Sequence, residues 1–461
     1  MTAVRTGRAQ PAQPTGHLTG PVIAVQPWPP LLIQAAWWAD PATRHAPLAV
    51  VAEGGAILAA GVEALEHGVV VGQTLPQARL RCPALVAVPP ERAVAAELWH
   101  HALAALLTLS PVVETTAPDG GIVDLAHAGT IAYLDGRGLD VLWGRCAAPA
   151  PRPVGARGLR PRGGQPGAPR PWRDARAVAR KALHALADQG LAARAGAGPS
   201  RAVASALARH MGASGPQGLS AQEGRAFLAA LPLTDPLFAL NDSVRDDLHS
   251  LGLTTAGQLA ALPHDDVATR FGPAVSAAWT TARGADEPPL RAWVPSERIA
   301  VQRPLDGAVS DRTIVDAALA PLCQELDARL HAAGRATELL SFQLTCDDAP
   351  PTLRCLHPTA PLQGAAALTL AARSLWTQMQ PPAPVVALTL TAARLCPATA
   401  QQETLFGLGG EAAQDRRATA RAARLAQVLQ THRAQFGPGR VRRPRHDPLD
   451  PQGWTWSEHE P

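Results

Sequence analysis

Hydrophobic and polar positions change their spacing several times along the first half of the chain, and this pattern predicts both strands and helices. Two short apolar runs at 47–52 and 56–60 flank Gly54 and Gly55, which predicts a β-hairpin. Apolar residues spaced three and four apart predict a helix over 91–109. Further strands are predicted at 22–25, 112–114 and 122–125. Further helices are predicted at 61–80, with an internal stop at Gly68 and Gly72, and at 172–186 and 200–210.

The second half of the chain predicts an all-helical part and then a mixed part. Leu-rich helical spacing fills residues 223–285, whereas 296–397 combine apolar strand patterns with two long helical patterns. This order predicts an α+β multidomain protein. The predicted parts are a disordered leader (1–20), an α+β domain (21–222) with a flexible Pro/Arg/Gly-rich insertion (147–171), a helical domain (223–290), an α+β domain (296–397) and a flexible tail (398–461).

Composition excludes several classes of protein. The chain has 461 residues, and its 39 Gly and 45 Pro stay below the share of about 25–30% that is typical of disordered chains. No apolar run reaches about 18 residues and no secretory signal pattern opens the chain, so we expect no membrane span and a cytoplasmic location. The six cysteines form no CxxC pair, and we expect neither a metal site nor a cofactor. The net charge of +4 is weak evidence for a nucleic-acid partner.

Residues 248–262 have the pattern of two short helices joined by a tight turn. Gly252 ends the first helix and Thr255 can cap the second. The segment resembles a helix-hairpin-helix, in which backbone N–H groups hold a DNA phosphate without reading sequence. A plain αα-hairpin explains the same pattern equally well. The candidate DNA-binding residues are Gly252, Thr254, Thr255 and Gly257.

The tail carries a five-residue pattern of the kind that bacterial sliding-clamp ligands use. In Gln402-Glu-Thr-Leu-Phe406, Leu405 and Phe406 can fill an apolar pocket while the Gln402 amide fixes their orientation. So short a match also arises by chance. An amphipathic pattern over 411–436 precedes a basic end, and it predicts either a partner-binding tail or a helix that packs on its own protein.

Together these segments resemble the Y family of DNA polymerases and, within it, the ImuB-type branch of bacterial mutasomes. In this resemblance Arg201 stands at the position of a palm lysine, and the helical hairpin belongs to the thumb. The matching segments are 68–85 (fingers), 109–125 (palm hairpin), 195–204 (palm turn), 248–262 with 270–272 (thumb), 296–397 (little finger) and 441–456 (the C-terminal end of the branch).

The resemblance also shows where this sequence departs from active members. It places the two metal-binding aspartates of the first strand at Gln26 and Trp28, and the palm Asp-Glu pair at Asp119 and Gly120. Only Asp119 is an acid, so most ligands of a two-metal site are missing. The resemblance therefore predicts a pseudo-polymerase that is not an enzyme and keeps Asp119 as a vestigial palm acid.

The implied function is a DNA- and clamp-binding scaffold in error-prone translesion synthesis during the SOS response to DNA damage. The implied partners are DNA, the sliding clamp, a C-family error-prone polymerase and a RecA-like accessory protein, with no membrane contact. Arg201 joins the hairpin residues as a DNA-binding candidate. Two alternatives remain: an active Y-family translesion polymerase, and a general helix-hairpin-helix repair scaffold.

Overall fold

A computed structural model describes residues 21–116, 130–137, 171–210, 215–284, 289–398, 444–446 and 454–456. The chain divides into two compact units, the first containing residues up to Ala36 and Thr43–Pro295, the second containing Trp37–Ala42 and residues from Ser296 onward. The predicted leader, nearly all of the insertion, Asp119, Gly120 and the clamp motif at 402–406 lie outside the described residues. The domain limits given above stay a prediction.

The strands are β1 (Val22–Pro27), β2 (Leu48–Val51), β3 (Ile57–Ala60), β4 (Val86–Val88), β5 (Val113–Thr115), β6 (Ala132–Asp135), β7 (Ala193–Gly198), β8 (Gln217–Gly218), β9 (Ile299–Val309), β10 (Arg335–Cys346), β11 (Ala349–Leu356), β12 (Val385–Pro397), β13 (Pro444–His446) and β14 (Trp454–Trp456). The last two pair with each other as an antiparallel ribbon.

The helices are α1 (Leu31–Ala39), α2 (Val62–Glu66), α3 (Leu75–Arg81), α4 (Arg92–Leu107), α5 (Pro171–Asp188), α6 (Arg201–His210), α7 (Ala221–Ala230), α8 (Asp242–Ser250), α9 (Ala256–Ala260), α10 (His264–Ala282), α11 (Arg312–Ala332) and α12 (Ala365–Thr377). Short 3-10 helices cover Pro41–His45 and Pro236–Phe238. Among the described residues, no helix is both long enough and apolar enough to cross a lipid bilayer.

The first unit contains a five-stranded sheet in the order β5-β6-β1-β7-β8. Its central strand β1 pairs antiparallel with β6 and β7, and Val22 to Val25 of β1 are fully buried. Helix α6 packs directly on this sheet, because β7 presents Gly196 and not a larger residue beneath it. A Cβ atom at Gly196 would lie 2.5 Å from the Ala204 carbonyl oxygen of α6.

A smaller three-stranded sheet, in the order β3-β2-β4, packs with α2 and α3 around its own apolar cluster. The predicted hairpin turn is confirmed, since Gly55 has a φ of +80° that favours glycine. The predicted stop inside the helical segment 61–80 is confirmed, since this segment forms two helices. They are separated by residues 67–74, where Gly68 and Gly72 both take positive φ values.

Helices α7 to α10 form the predicted helical part. Leu228, Leu248, Leu259 and Val275 lie in one buried cluster, to which α6 also contributes Val203. This shared core joins the helical part to the five-stranded sheet within the first unit. Helix α10 contains a kink at Gly272, where φ is +78°.

The second unit contains an antiparallel sheet in the order β11-β10-β12-β9, covered by α11 and α12. Its core is built from side chains of both helices and of the facing strand positions, among them Leu319, Leu326, Phe342, Trp376 and Leu390. The structure confirms the predicted α+β class.

Strands β6, β7 and β8 of the five-stranded sheet were not predicted. The segment predicted as a strand at 122–125 lies outside the described residues, whereas Ala132–Asp135 forms β6 between β5 and β1. The register pairs Tyr133 with Ala24 of β1 and with Glu114 of β5. Glu114 therefore lies on the same sheet face as Ala24, which is the face that α6 covers.

Candidate functional site

The end of β1 brings together an amide, an indole and a guanidinium. Gln26 lies opposite Arg194 in the register between β1 and β7. The guanidinium carbon of Arg194 is 3.9 Å from the centroid of the Trp28 ring, and its Nη1 donates to the Arg209 carbonyl oxygen at 3.2 Å. Burial lowers the pKa of the Arg194 guanidinium below its ordinary value. The end of β1 therefore presents a cation stacked on an aromatic ring.

A buried amide holds this arrangement in place. The Gln34 Nε2 donates to the carbonyl oxygens of Pro29 at 2.7 Å and Ala192 at 2.8 Å, and its Oε1 accepts from the Ala192 N–H at 2.9 Å. The backbone N–H of Trp28 also donates to the Ala192 carbonyl oxygen, at 3.0 Å. These bonds connect the segment after β1 to the residue just before β7.

The described residues at the end of β1 do not fit a pair of catalytic divalent cations. Such ions require carboxylate oxygens, and the positions in question hold Gln26 and Trp28 beside the positive charge of Arg194. Within the described ranges, no three His, Cys, Asp or Glu side chains converge on one point. Asp119 and Gly120, the other two positions of the expected set, lie outside those ranges.

Arg201, the first residue of α6, is paired with a carboxylate from the edge strand. Its Nη2 donates to the Glu114 Oε2 at 2.7 Å, and the side chains of Arg201 and Glu114 are 15% and 23% exposed. The same Glu114 oxygen accepts the backbone N–H of Arg291, also at 2.7 Å. The Arg201 guanidinium carbon is 6.0 Å from the Tyr133 ring centroid.

Residues 289–293, named the edge segment below, lie along the outer strand β5. The backbone N–H of Trp293 donates to the Val113 carbonyl oxygen at 2.7 Å. The Trp293 ring meets the buried His100 imidazole edge-on, with the ring centroids 5.1 Å apart. Leu290 of this segment is buried. One backbone hydrogen bond thus connects the edge segment to the outer strand of the sheet.

The helical hairpin of α8 and α9 has the predicted caps. Gly252 has a φ of +78°, and its N–H donates to the His249 carbonyl oxygen at 2.9 Å. The Thr255 side chain accepts from the Gln258 N–H at the start of α9. The N–H groups of Thr254 and Thr255 donate to the Gln258 Oε1 at 2.8 and 3.0 Å.

These contacts show what each predicted hairpin residue does inside the protein. Two of the amides assigned to a phosphate are paired with the side chain of Gln258, which is exposed and can turn into solvent. Gly257 allows α9 to approach α7, since a Cβ atom there would lie 2.9 Å from the Ala229 carbonyl oxygen. The DNA contacts of Gly252, Thr254, Thr255 and Gly257 stay a prediction.

Sequence reasoning missed a buried carboxylate between α6 and the helical part. Asp235 accepts from Arg209 Nη1 at 2.7 Å, lies 2.6 Å from His210 Nε2 and accepts the Leu237 N–H at 2.8 Å. The Asp-Pro pair at 235–236 could have predicted the helix cap. Nothing local to it predicted the contacts with Arg209 and His210.

Comparison with protein families gives two matches. Residues 32–209 match the model described as the impB/mucB/samB family, and residues 296–405 match the C-terminal domain of the same family. The two matches are in the family's own order and cover more than half of the chain. The chain belongs to the impB/mucB/samB family. This membership confirms the resemblance to Y-family polymerases.

Relatives of this impB/mucB/samB member include the DNA polymerase IV of Dehalococcoides mccartyi (strain CBDB1), 24% identical over 312 residues, which are 67% of this chain and 69% of the relative. The DNA polymerase IV of Moorella thermoacetica is 26% identical over 257 residues, 54% of each chain. The solved Dbh ternary complex and DinB from Sulfolobus solfataricus each match with 14% identity and a TM-score of 0.44, covering 81% of this chain and 98% of theirs.

These comparisons correct one prediction. The prediction that the chain is a pseudo-polymerase and not an enzyme is wrong, because the relatives of this family member carry the name of a DNA polymerase. The prediction rested on the absence of acids at Gln26, Trp28 and Gly120. Substitutions at these three positions do not outweigh a similarity that extends through both family domains.

Proposed function

We propose that this impB/mucB/samB member binds primed DNA and takes part in error-prone translesion synthesis at a sliding clamp. The observation that carries the proposal is the match to both family domains in order, with a capped helical hairpin between them. The relatives named DNA polymerase IV support a role in DNA synthesis. The ImuB-type branch and its SOS setting belong to this proposal.

The DNA contacts assigned to the hairpin are contacts to backbone phosphates. The backbone N–H groups of Thr254 and Thr255 lie at the start of α9, and Thr254 is exposed. Because Gln258 is exposed, a phosphate oxygen can replace its side-chain oxygen at those two N–H groups. Arg201 supplies a guanidinium to the same duplex on the sheet side.

The hairpin assignment is tested by anisotropy titration of labelled primed DNA with the full chain. Thr254→Glu places a negative charge where the phosphate is expected and should weaken binding about tenfold. Thr280→Glu, an equally exposed threonine in α10, is the matched control and should leave the affinity unchanged. Equal affinities for both variants and the parent would show that the hairpin does not contact the DNA.

Clamp binding is assigned to Gln402, Leu405 and Phe406 in the tail. Changing Leu405 and Phe406 together to Ala should abolish binding to a bacterial sliding clamp while leaving DNA affinity intact. Leu408→Ala, two residues beyond the motif, is the control that should keep clamp binding. Clamp binding that survives the double change would show that another part of the chain makes the contact.

The remaining partners are a C-family error-prone polymerase and a RecA-like accessory protein, both assigned to the tail from Glu411 onward. An apolar stripe with an arginine-rich face is a pattern that partner helices and grooves recognise. Co-purification of each candidate with the full chain, and with a chain carrying Leu425→Glu and Leu429→Glu, tests this assignment. Loss of one partner only would assign that partner to the stripe.

A further inference from the structure

The Glu114 carboxylate fills a position that has the chemistry of an oxyanion site. Its Oε2 receives two N–H donors at 2.7 Å each, one from the Arg201 guanidinium and one from the Arg291 backbone. Short bonds from a charged donor and a backbone N–H to one oxygen are typical of phosphate and carboxylate recognition. The first turn of α6, which begins at Arg201, adds the positive end of a helix.

We propose that Glu114 is a built-in occupant of this site, and that a phosphate group displaces it and releases the edge segment from β5. This rests on the proposed function, in which Arg201 meets a phosphate. The phosphate belongs either to the DNA backbone or to a nucleoside triphosphate, since both offer the same oxyanion chemistry.

The side chains of Glu114 and Arg201 also contact the edge segment, at Arg291 and Pro289. Glu114 accepts the Arg291 N–H, and Arg201 Nη2 lies 3.4 Å from the Pro289 carbonyl oxygen as a second acceptor. When a phosphate takes the Arg201 guanidinium, Glu114 loses its cationic partner and Pro289 loses its donor. The bond from the backbone N–H of Trp293 to the Val113 carbonyl oxygen then still connects the segment to β5.

Exposure supports an exchangeable pair. Arg201 and Glu114 keep 15% and 23% of their side-chain surface in contact with solvent, so an anion can reach the guanidinium without unfolding the sheet. The pair is nevertheless well enough shielded to persist at moderate salt. Phosphate and the Glu114 carboxylate therefore compete for Arg201. Phosphate binding and release of the edge segment are coupled through this carboxylate.

Hydrogen exchange measured by mass spectrometry on the full chain tests the coupling. Peptides covering 289–295 report the amides of Arg291 and Trp293. Primed DNA, a deoxynucleoside triphosphate and inorganic tripolyphosphate are added in separate arms. We expect exchange in these peptides to rise about tenfold with the ligand that reaches Arg201. A response to DNA alone identifies the DNA backbone, and a response to the two triphosphate ligands alone identifies the nucleotide.

Variants separate this coupling from a merely structural role of the pair. Glu114→Gln keeps an oxygen for the Arg291 N–H but removes the competing charge, so it should bind the effective ligand about fivefold more tightly. Arg201→Gln should abolish the exchange response. Glu325→Gln removes the carboxylate that pairs with Arg329 at 2.6 Å and is the matched control, which should change neither quantity.

Two results would overturn the proposal: exchange at 289–295 that is unchanged by all three ligands, or weaker ligand binding by Glu114→Gln. Failure of the full chain to bind DNA is a different result. It would contradict the proposed function. Hydrogen exchange at 289–295 with added tripolyphosphate would still show whether Glu114 and the edge segment respond to a phosphate.

Discussion

At the scale of single residues, Gln34 joins segments that are 158 positions apart in the sequence. Its amide bonds to the carbonyl oxygens of Pro29 and Ala192 and to the N–H of Ala192, and the side chain is 2% exposed. Buried backbone groups lose much more free energy when unpaired than exposed ones do. Gln34 therefore fixes where Trp28 lies relative to Arg194.

Replacing Gln34 with Ala should lower the free energy of unfolding by about 2–4 kcal/mol, because one buried and two part-buried hydrogen bonds lose their partner. Urea titration followed by tryptophan fluorescence measures this change. Gln189→Ala removes an exposed glutamine and should cost no more than about 0.5 kcal/mol. Equal losses for the two variants would contradict the role given to Gln34.

Residue identity could be assigned from the sequence more readily than residue contacts. The palm resemblance singled out Arg201, Gln26 and Trp28 because each lies within a recognisable segment. It gave no partner for Arg201, since Glu114 is 87 residues away and the Arg291 N–H that shares its oxygen is 177 residues from Glu114. Contacts of that separation depend on the folded sheet and leave no local pattern.

At the scale of elements, the contact between α6 and β7 depends on small residues on both sides. A Cβ atom at Gly196 would lie 2.5 Å from the Ala204 carbonyl oxygen, 2.5 Å from the Leu207 Cβ and 2.6 Å from the Ala208 backbone N. Backbone atoms cannot turn aside as a flexible side chain can. The helix must therefore move away from the sheet if any side chain is added.

Gly196→Ala should accordingly destabilise the first unit by about 3 kcal/mol, through overpacking against the α6 backbone. Circular dichroism during thermal or urea unfolding gives the measurement. Gly54→Ala is the matched control, because no atom lies within 4 Å of a Cβ atom built there. A Gly196→Ala protein as stable as the Gly54→Ala protein would show that a methyl group fits between α6 and β7, contrary to the distances given above.

A second element-scale prediction concerns the capping box of α7. The backbone N–H and then the hydroxyl of Ser220 donate to Glu223, and they lower the pKa of its carboxyl below the ordinary 4.5. A carboxyl with a lowered pKa in the folded state stabilises the protein above the unfolded value, and this contribution is lost as the pH falls through the folded value.

Glu223→Gln should therefore have a lower urea midpoint than the parent at pH 7, and the difference should shrink as the pH falls from about 5 to about 3.5. Glu66→Gln, at an exposed position in α2, is the control for a simple loss of charge. A difference that stays constant over this range would mean that the cap acts without its charge.

Strands and helices were predictable to different degrees for physical reasons. Continuous apolar runs and a Gly-Gly turn predicted β1 and the β2–β3 hairpin, because these signals lie within a few residues. Strands β4 and β6 are among those that were missed. Each is three or four residues long and pairs with strands distant in sequence, so its stability comes from neighbours that no short window contains.

At the scale of the whole molecule, DNA binding should follow phosphate contacts more than net charge, which is only +4. Each phosphate contact that is removed lowers the slope of log affinity against log salt concentration by about one. Arg201→Gln should therefore reduce the magnitude of that slope by about one in titrations at several salt concentrations. Arg225→Gln, an exposed arginine in α7, is the control, and an equal slope for parent and Arg201→Gln would exclude a phosphate contact.

The edge segment also has a consequence for self-association. Strand β5 is the outermost strand of its sheet on that side, and an uncovered outer strand is a template for pairing with another chain. The Trp293 N–H and the buried Leu290 place a non-sheet segment along that edge. Residues 289–293 therefore shield β5 from pairing with a strand of another chain. Any ligand that releases them leaves β5 as an uncovered edge strand that is open to such pairing.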